Sequence, residues 1–333
     1  MLKLPPLTIL RPRNRDELIS GIADQQSGFK LLGGGTDLIN GMKKRLYPTA
    51  TIISLKNVEE LKGITYDRSK DRLTIAAMTT LSELAAAPEI AEIQPAIAAA
   101  AKTIAAPPIR NQATVGGNLC LDTRCYYFNQ SQSWRKLAKP CFKCGGEVCL
   151  AAPGAKECRA VFSADLPSLL IALNAHITIA GGNGEKTIPL VDFYTGNGAK
   201  PNTLHENEYV SSITIDNLSA KKSLYRKFRL RKALDFPLAG VALGFENNSE
   251  GRFNNPQIIL NAVASGPLAV PEAATILAGK SFDDEAALQS AVEAVSAAAK
   301  PIANVGSKPF YRKKMVGLLL KKMAAELATG QEA

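Results

Sequence analysis

Residues 31–39 read Leu-Leu-Gly-Gly-Gly-Thr-Asp-Leu-Ile (LLGGGTDLI). Phe29 to Leu32 forms a short apolar run of strand type, and Gly33, Gly34, Gly35, Thr36 and Asp37 follow at once. Glycine reaches positive φ and brings backbone N–H groups close to a ligand. Successive N–H groups in such a turn make a concavity that suits phosphate. Gln112 to Leu119 supplies a second glycine turn, Thr114-Val115-Gly116-Gly117-Asn118. Neither turn has the G-x-G-x-x-G spacing of a dinucleotide fold, and neither ends in the lysine of a phosphate loop. Two glycine turns in one domain point toward a diphosphate cofactor. The same residues read equally well as ordinary tight turns.

Outward from the first turn, the chain reads strand, helix, strand. Leu7 to Leu10 is apolar, and Asn14 can cap a helix over Arg15 to Ala23, with Asp16 and Glu17 in its first turn. Thr51 to Leu55 and Leu73 to Ala77 read as strands, Leu81 to Ala87 and Ala91 to Ile104 as helices, and Pro107-Pro108 stops the latter. Beyond the second turn, Leu166 to Leu173 reads as a helix. Ile177 to Ala180 and Lys186 to Leu190 read as a hairpin. From about residue 218, Ser223 to Leu230, Ala239 to Glu246 and Gln257 to Ala264 read as strands, and Glu285 to Lys300 and Tyr311 to Leu327 as helices. Strands followed by helices make an α+β domain.

All six cysteines fall between Cys120 and Cys158. They lie in or beside a segment of about 123–163 with little periodicity, far longer than an ordinary connection, which implies a functional loop or disorder. No apolar run reaches the roughly 18 residues of a membrane span. The start, MLKLPPLTIL, does not read as a signal peptide. A cytoplasmic protein is therefore expected, and a reducing cytosol favours metal ligation over disulfides for clustered cysteines. Cys141-Phe-Lys-Cys144 is the sole CxxC; alone it would suggest zinc, and free thiols are the third alternative. The net charge of +10 fits a generic basic surface or docking to an acidic partner. Its cations are too dispersed, and too poor in aromatic company, for a nucleic-acid site. His176 and His205 stand far apart without catalytic neighbours.

LLGGGTDLI (31–39), IRNQATVGGNL (109–119) and DLPSLLIALN (165–174) resemble the FAD-binding subunits of molybdenum hydroxylases, the group of xanthine and carbon monoxide dehydrogenases. KTIPLVDF (186–193), YRKFRLRKALD (225–235), Pro301-Ile302 and Tyr311-Arg312 extend the resemblance over nearly the whole chain. It implies an α+β fold: a two-part FAD-binding domain of the vanillyl-alcohol-oxidase (PCMH) type, then a C-terminal α+β domain of the CO dehydrogenase flavoprotein type. The boundaries would be 1–217 (lobes 1–55 and 56–217, with an insertion at about 123–163) and 218–333. Leu32 to Ile39, including Leu38, and Thr114 to Asn118, including Val115, would hold the FAD diphosphate. Ile104 would pack on the flavin, Asp165 would reach the adenosine portion, and Lys227 would lie near the isoalloxazine, with Asp235 completing a basic-then-acidic spacing.

The insertion resembles one branch of that group, the β subunits of 4-hydroxybenzoyl-CoA reductases, which carry an extra 4Fe–4S cluster. That branch's C-x15-C-x7-C-x8-C spacing falls on Cys125, Cys141, Cys149 and Cys158 and leaves Cys120 and Cys144 over. The resemblance implies a large molybdenum-cofactor subunit, a small subunit with two 2Fe–2S clusters, a dimer of such heterotrimers, and ferredoxin as electron donor. Arg135, Lys136, Lys139 and Lys143 would then give the insertion a cationic docking surface, weakened by salt.

Overall fold

The computed structural model describes residues 3–25, 28–247, 250–303 and 306–330. The N-terminal lobe is a parallel sheet in the order Thr8–Leu10, Thr51–Ser54, Phe29–Leu32. Helix Arg15–Ala23 covers it, burying Leu18 and Ile22. Asn14 caps that helix as expected, its side chain accepting from the Glu17 N–H at 2.8 Å.

The second lobe is a five-stranded antiparallel sheet ordered Ile64–Asp67, Arg72–Ala76, Glu208–Asp216, His176–Gly181, Gly184–Pro189. Its central strand, Glu208–Asp216, escaped the sequence reading. A bulge between Val210 and Ser212 breaks the inward–outward alternation, so Tyr209, Val210 and Ser211 are all buried in succession. The expected helix from Ala91 to Ile104 is two helices, Pro88–Ile93 and Pro95–Thr103. Pro95 drives Gln94 out of helical geometry, to φ −145° and ψ 70°. The expected second glycine turn is also different. Val115–Leu119 forms one helical turn, capped by the Thr114 hydroxyl accepting from the Gly117 N–H at 3.1 Å.

The C-terminal sheet runs Lys221–Phe228, Ala239–Glu246, Asn254–Asn261, Leu268–Ala269. Both its faces are buried. Tyr225, Ala242 and Ile259 join the core of the second lobe, whereas Val241, Leu243, Ile258 and Leu260 pack on the C-terminal helices. Helix Leu166–Ala172, buried at every residue, is wedged between the two sheets. A Cβ on Gly244 would stand 2.1 Å from the Ala172 carbonyl oxygen, so only glycine admits this approach. Arg312, in helix Pro309–Thr329, is fully buried and donates to the carbonyls of Leu238, Ile302 and Ala262. Among the described residues no helix is long and apolar enough to cross a membrane.

Candidate functional site

The two glycine segments meet in space. Val115 and Gly116 donate to the carbonyls of Thr79 and Ala77, at 2.9 and 2.8 Å, which anchors the 112–118 segment on the second lobe. A Cβ on Gly33 would come within 2.9 Å of the Thr114 hydroxyl, and one on Gly34 within 1.6 Å of the Gln112 carbonyl oxygen. Gly34 is therefore required by the backbone of Gln112, and Gly33 sits against the Thr114 side chain. Gly35 takes φ +73°, the left-handed region glycine occupies freely. Leu32 to Ile39 are half-buried and Gly117 is exposed, whereas Val115, Gly116 and Asn118 are buried, so the paired segments keep one open edge. Asp37 begins helix Leu38–Lys43 and pairs with Arg124 at the root of the insertion. Burial raises the Asp37 carboxyl above its usual range, against the pull of Arg124.

A second cluster sits between the second lobe and the C-terminal sheet. Asp165 accepts from the Lys227 ammonium and the Tyr225 hydroxyl, both at 2.8 Å. Both members of the ion pair are buried, with 4% side-chain exposure each. Asn261 donates to the Tyr225 oxygen and the Ala164 carbonyl at 2.9 Å. Burial lowers the Lys227 pKa despite the carboxylate, since desolvation outweighs the pairing. Asp165 and Lys227 thus form one buried pair. Ile104 is buried in the core of the second lobe, its carbonyl accepting from Arg110 at 2.7 Å. The loop after Phe228 docks on the same corner through Arg229 to the Thr103 carbonyl and the Leu234 N–H to the Ala105 carbonyl. Asp235 pairs with Arg231. Tyr225 and Asn261 were not singled out in the sequence; alternation on a buried strand marks them as core and gives no sign of their polar partners.

The insertion is pinned at its roots by reciprocal hydrogen bonds between Arg124 and Val161, at 2.7 and 2.8 Å. Its regular structure is a short helix, Gln132–Lys136, and one turn, Phe142–Cys144. Cys125, Cys141, Cys149 and Cys158 all line one cavity, with Phe128, Phe142 and Lys143 in its wall. Among the described residues, no three His, Cys, Asp or Glu side chains are grouped closely enough to hold a metal ion. Burial raises the Cys125 thiol and pushes Cys158 up to about 11. Cys120 lies elsewhere, against the core of the second lobe, its thiol pushed by burial up to about 12. Cys144 is exposed and lines a neighbouring groove with Cys141, Tyr127, Trp134, Lys136 and Lys139.

The expected cationic surface is smaller than four charges. Lys136 and Lys139 are exposed. Lys143 is buried, with 5% side-chain exposure, and Arg135 turns inward to the carbonyls of Gln130 and Arg45. Both cations lie over the Phe128 ring, Arg135 at 5.7 Å and Lys143 at 4.6 Å from its centre.

Comparison with known proteins agrees with this layout. Residues 5–217 match the FAD binding domain in molybdopterin dehydrogenase, and residues 223–327 the CO dehydrogenase flavoprotein C-terminal domain. The chain is 28% identical to the carbon monoxide dehydrogenase medium chain of Hydrogenophaga pseudoflava, covering 93% of each. It is 26% identical to the aldehyde oxidoreductase FAD-binding subunit PaoB of Escherichia coli, over 91% of this chain and 94% of that one. The carbon monoxide dehydrogenase from H. pseudoflava that lacks the Mo-pyranopterin moiety superposes with a TM-score of 0.79 at 27% identity, over 99% of this chain and 100% of that chain.

Proposed function

The chain belongs to the FAD-binding subunits of molybdopterin dehydrogenases, and from that premise we propose how it takes in and passes on electrons. It is the flavin subunit of an oxidoreductase of the molybdenum hydroxylase family. In our reading the FAD diphosphate lies along the open edge between Gly33–Asp37 and Thr114–Asn118. The packing of Gly34 on the Gln112 backbone supports this, because it fixes the Gly33–Asp37 turn before any ligand arrives; the N–H groups of Val115 to Asn118 are already bonded within the protein, so that segment contributes shape. Leu32, Leu38, Ile39 and Val115 flank the cradle. Ile104 and the Asp165–Lys227 pair stand together at the flavin end, and Asp165 acts there by holding the Lys227 ammonium. FAD supplies the exchange between single electrons and electron pairs. The division into 1–217 and 218–333 is part of the same proposal.

The observation that carries the finer reading is the cavity shared by Cys125, Cys141, Cys149 and Cys158. Four thiolates suffice for a 4Fe–4S cluster, and the two other cysteines lie outside that cavity's wall. We read the insertion as an entry port at which an acidic ferredoxin delivers single electrons, docking over exposed Lys136, Lys139, Trp134 and Leu137. The electrons would pass by FAD to partners of the kind these enzymes assemble with: a small subunit with two 2Fe–2S clusters and a large molybdenum-cofactor subunit, in a dimer of heterotrimers. The overall reaction we assign to the complex is reductive removal of the phenolic hydroxyl of 4-hydroxybenzoyl-CoA. Two electrons and two protons convert it to benzoyl-CoA and water.

The test is a visible spectrum of the purified protein with iron and sulfide counts. Flavin bands over broad iron–sulfur absorption, with four iron and four sulfide per chain, are expected. Cys125→Ser, Cys141→Ser, Cys149→Ser and Cys158→Ser should each lose iron and keep FAD, and Cys120→Ser should keep both. Flavin without iron would make this an ordinary molybdenum hydroxylase flavin subunit. A colourless, zinc-loaded protein would make it a scaffold.

A further inference from the structure

We propose that Cys141 and Cys144 form a dithiol that exchanges with small anionic disulfides, the class to which oxidised glutathione belongs. It concerns these two thiols alone and stands apart from the cluster reading above. Phe142–Cys144 is a 3₁₀ turn, closed by the Cys144 N–H donating to the Cys141 carbonyl at 2.7 Å. Side chains at i and i+3 of such a turn eclipse, and here the two thiols are close enough to interact directly. The surrounding backbone holds that turn. The Phe142 N–H donates to the Val148 carbonyl and the Gly146 N–H to the Cys141 carbonyl, both at 3.0 Å. Gly145 reverses the chain at φ +79°, and a Cβ on Gly146 would stand 1.9 Å from the Pro140 carbonyl oxygen.

Cys144 is exposed and Cys141 half-buried, whereas Cys149 and Cys158 are buried. Cys141 and Cys144 both line a groove of about 380 Å³, and Cys144 does not line the four-cysteine cavity. Lys136 and Lys139 are exposed on the same groove, and no Asp or Glu is among its described lining residues. A concavity lined by one sign of charge concentrates ligands of the other. Exchange runs through a mixed disulfide. The Cys144 sulfur attacks the small disulfide, bonds to one of its sulfurs and releases the other half as a thiol. The Cys141 sulfur then attacks Cys144, forms the Cys141–Cys144 bond and releases the second half. Two protein thiols are oxidised, one small disulfide is reduced to two thiols, and the protein's two thiol protons leave on them.

The experiment uses protein purified under reducing conditions, with iron and zinc counted and FAD content as the measure of fold. At pH 8, oxidised glutathione should release two glutathiones per metal-free chain. Non-reducing peptide mass spectrometry should then find one Cys141–Cys144 bond, which dithiothreitol reverses. Cys141→Ser should stop with one glutathione held on Cys144. In chains that carry metal on Cys141 the reaction should stop at the same point, and the pair should close once a chelator removes the metal. Lys136→Gln combined with Lys139→Gln should slow exchange with oxidised glutathione about tenfold and leave exchange with uncharged hydroxyethyl disulfide unchanged. Metal-free chains that form no Cys141–Cys144 bond, or that join Cys144 to another cysteine, overturn the inference. So does a double lysine variant that treats both disulfides alike. The iron count of the untreated protein decides the cluster reading separately.

Discussion

Gly34 separates two explanations of the glycine motif that sequence cannot. Were it there to admit a ligand, a methyl group would protrude into the open edge. Instead the Cβ of a Gly34→Ala variant would lie 1.6 Å from the Gln112 carbonyl oxygen, 2.4 Å from its carbon and 2.9 Å from the Ala113 nitrogen. Real Cβ contacts stay beyond 3.0 Å, so the segments must part by at least 1.4 Å (3.0 − 1.6). The obstacle is backbone, and no rotamer change relieves it. Overpacking costs about 1–3 kcal/mol, sometimes more, and this site belongs at the upper end. A loss of about 3 kcal/mol corresponds to a Tm lower by about 6–12 °C, at roughly 2–4 °C per kcal/mol for a domain of this size. Gly117→Ala is the control. Its Cβ meets only the Thr114 hydroxyl, at 3.0 Å, from an exposed position. It should change Tm by less than about 2 °C, under 1 kcal/mol on the same scale, while weakening FAD retention. Calorimetry and flavin stoichiometry on both variants give the answer. Gly34→Ala with an unchanged Tm and one FAD per chain would refute the backbone-packing argument.

Other outcomes follow from the same geometry. Lys227→Met leaves Asp165 buried with only Tyr225 and should cost about 3–5 kcal/mol in chemical denaturation; adding Asp165→Asn should restore most of it. Because the folded Lys227 pKa lies below the ordinary 10.5, the unfolded chain binds more protons between those two values. Wild-type stability relative to Lys227→Met should therefore rise with pH through that alkaline window, and a flat difference would contradict the assignment. In metal-free native protein at pH 8, iodoacetamide should modify exposed Cys144 first and Cys120, its thiol at about 12, last, as read by peptide mass spectrometry. Arg312→Lys cannot reach the carbonyls of Leu238, Ile302 and Ala262 with one ammonium and should cost about 1–3 kcal/mol for each buried carbonyl left bare. A Tm equal to wild type would show those carbonyls re-solvated.

Much of this protein is legible from its residues in order. Caps, prolines and periodicity act over a few residues, so Asn14 and the strand Ala239–Glu246 could be read directly. The two glycine motifs and the cysteine spacing were visible because they are runs along the chain. The tertiary structure decided what those runs are for. Asp165 and Lys227 lie 62 positions apart, and only the wedge of helix Leu166–Ala172 against the C-terminal sheet makes them one ion pair. Strand Glu208–Asp216 was hidden because its bulge destroys the alternation by which a strand is recognised. Lys143 read as surface charge, since a lysine in a polar loop normally is. Its burial depends on Asp122 and Thr123, some 20 residues back, being folded to within hydrogen-bonding reach. Pairings between distant segments are set by packing, and no local propensity encodes them.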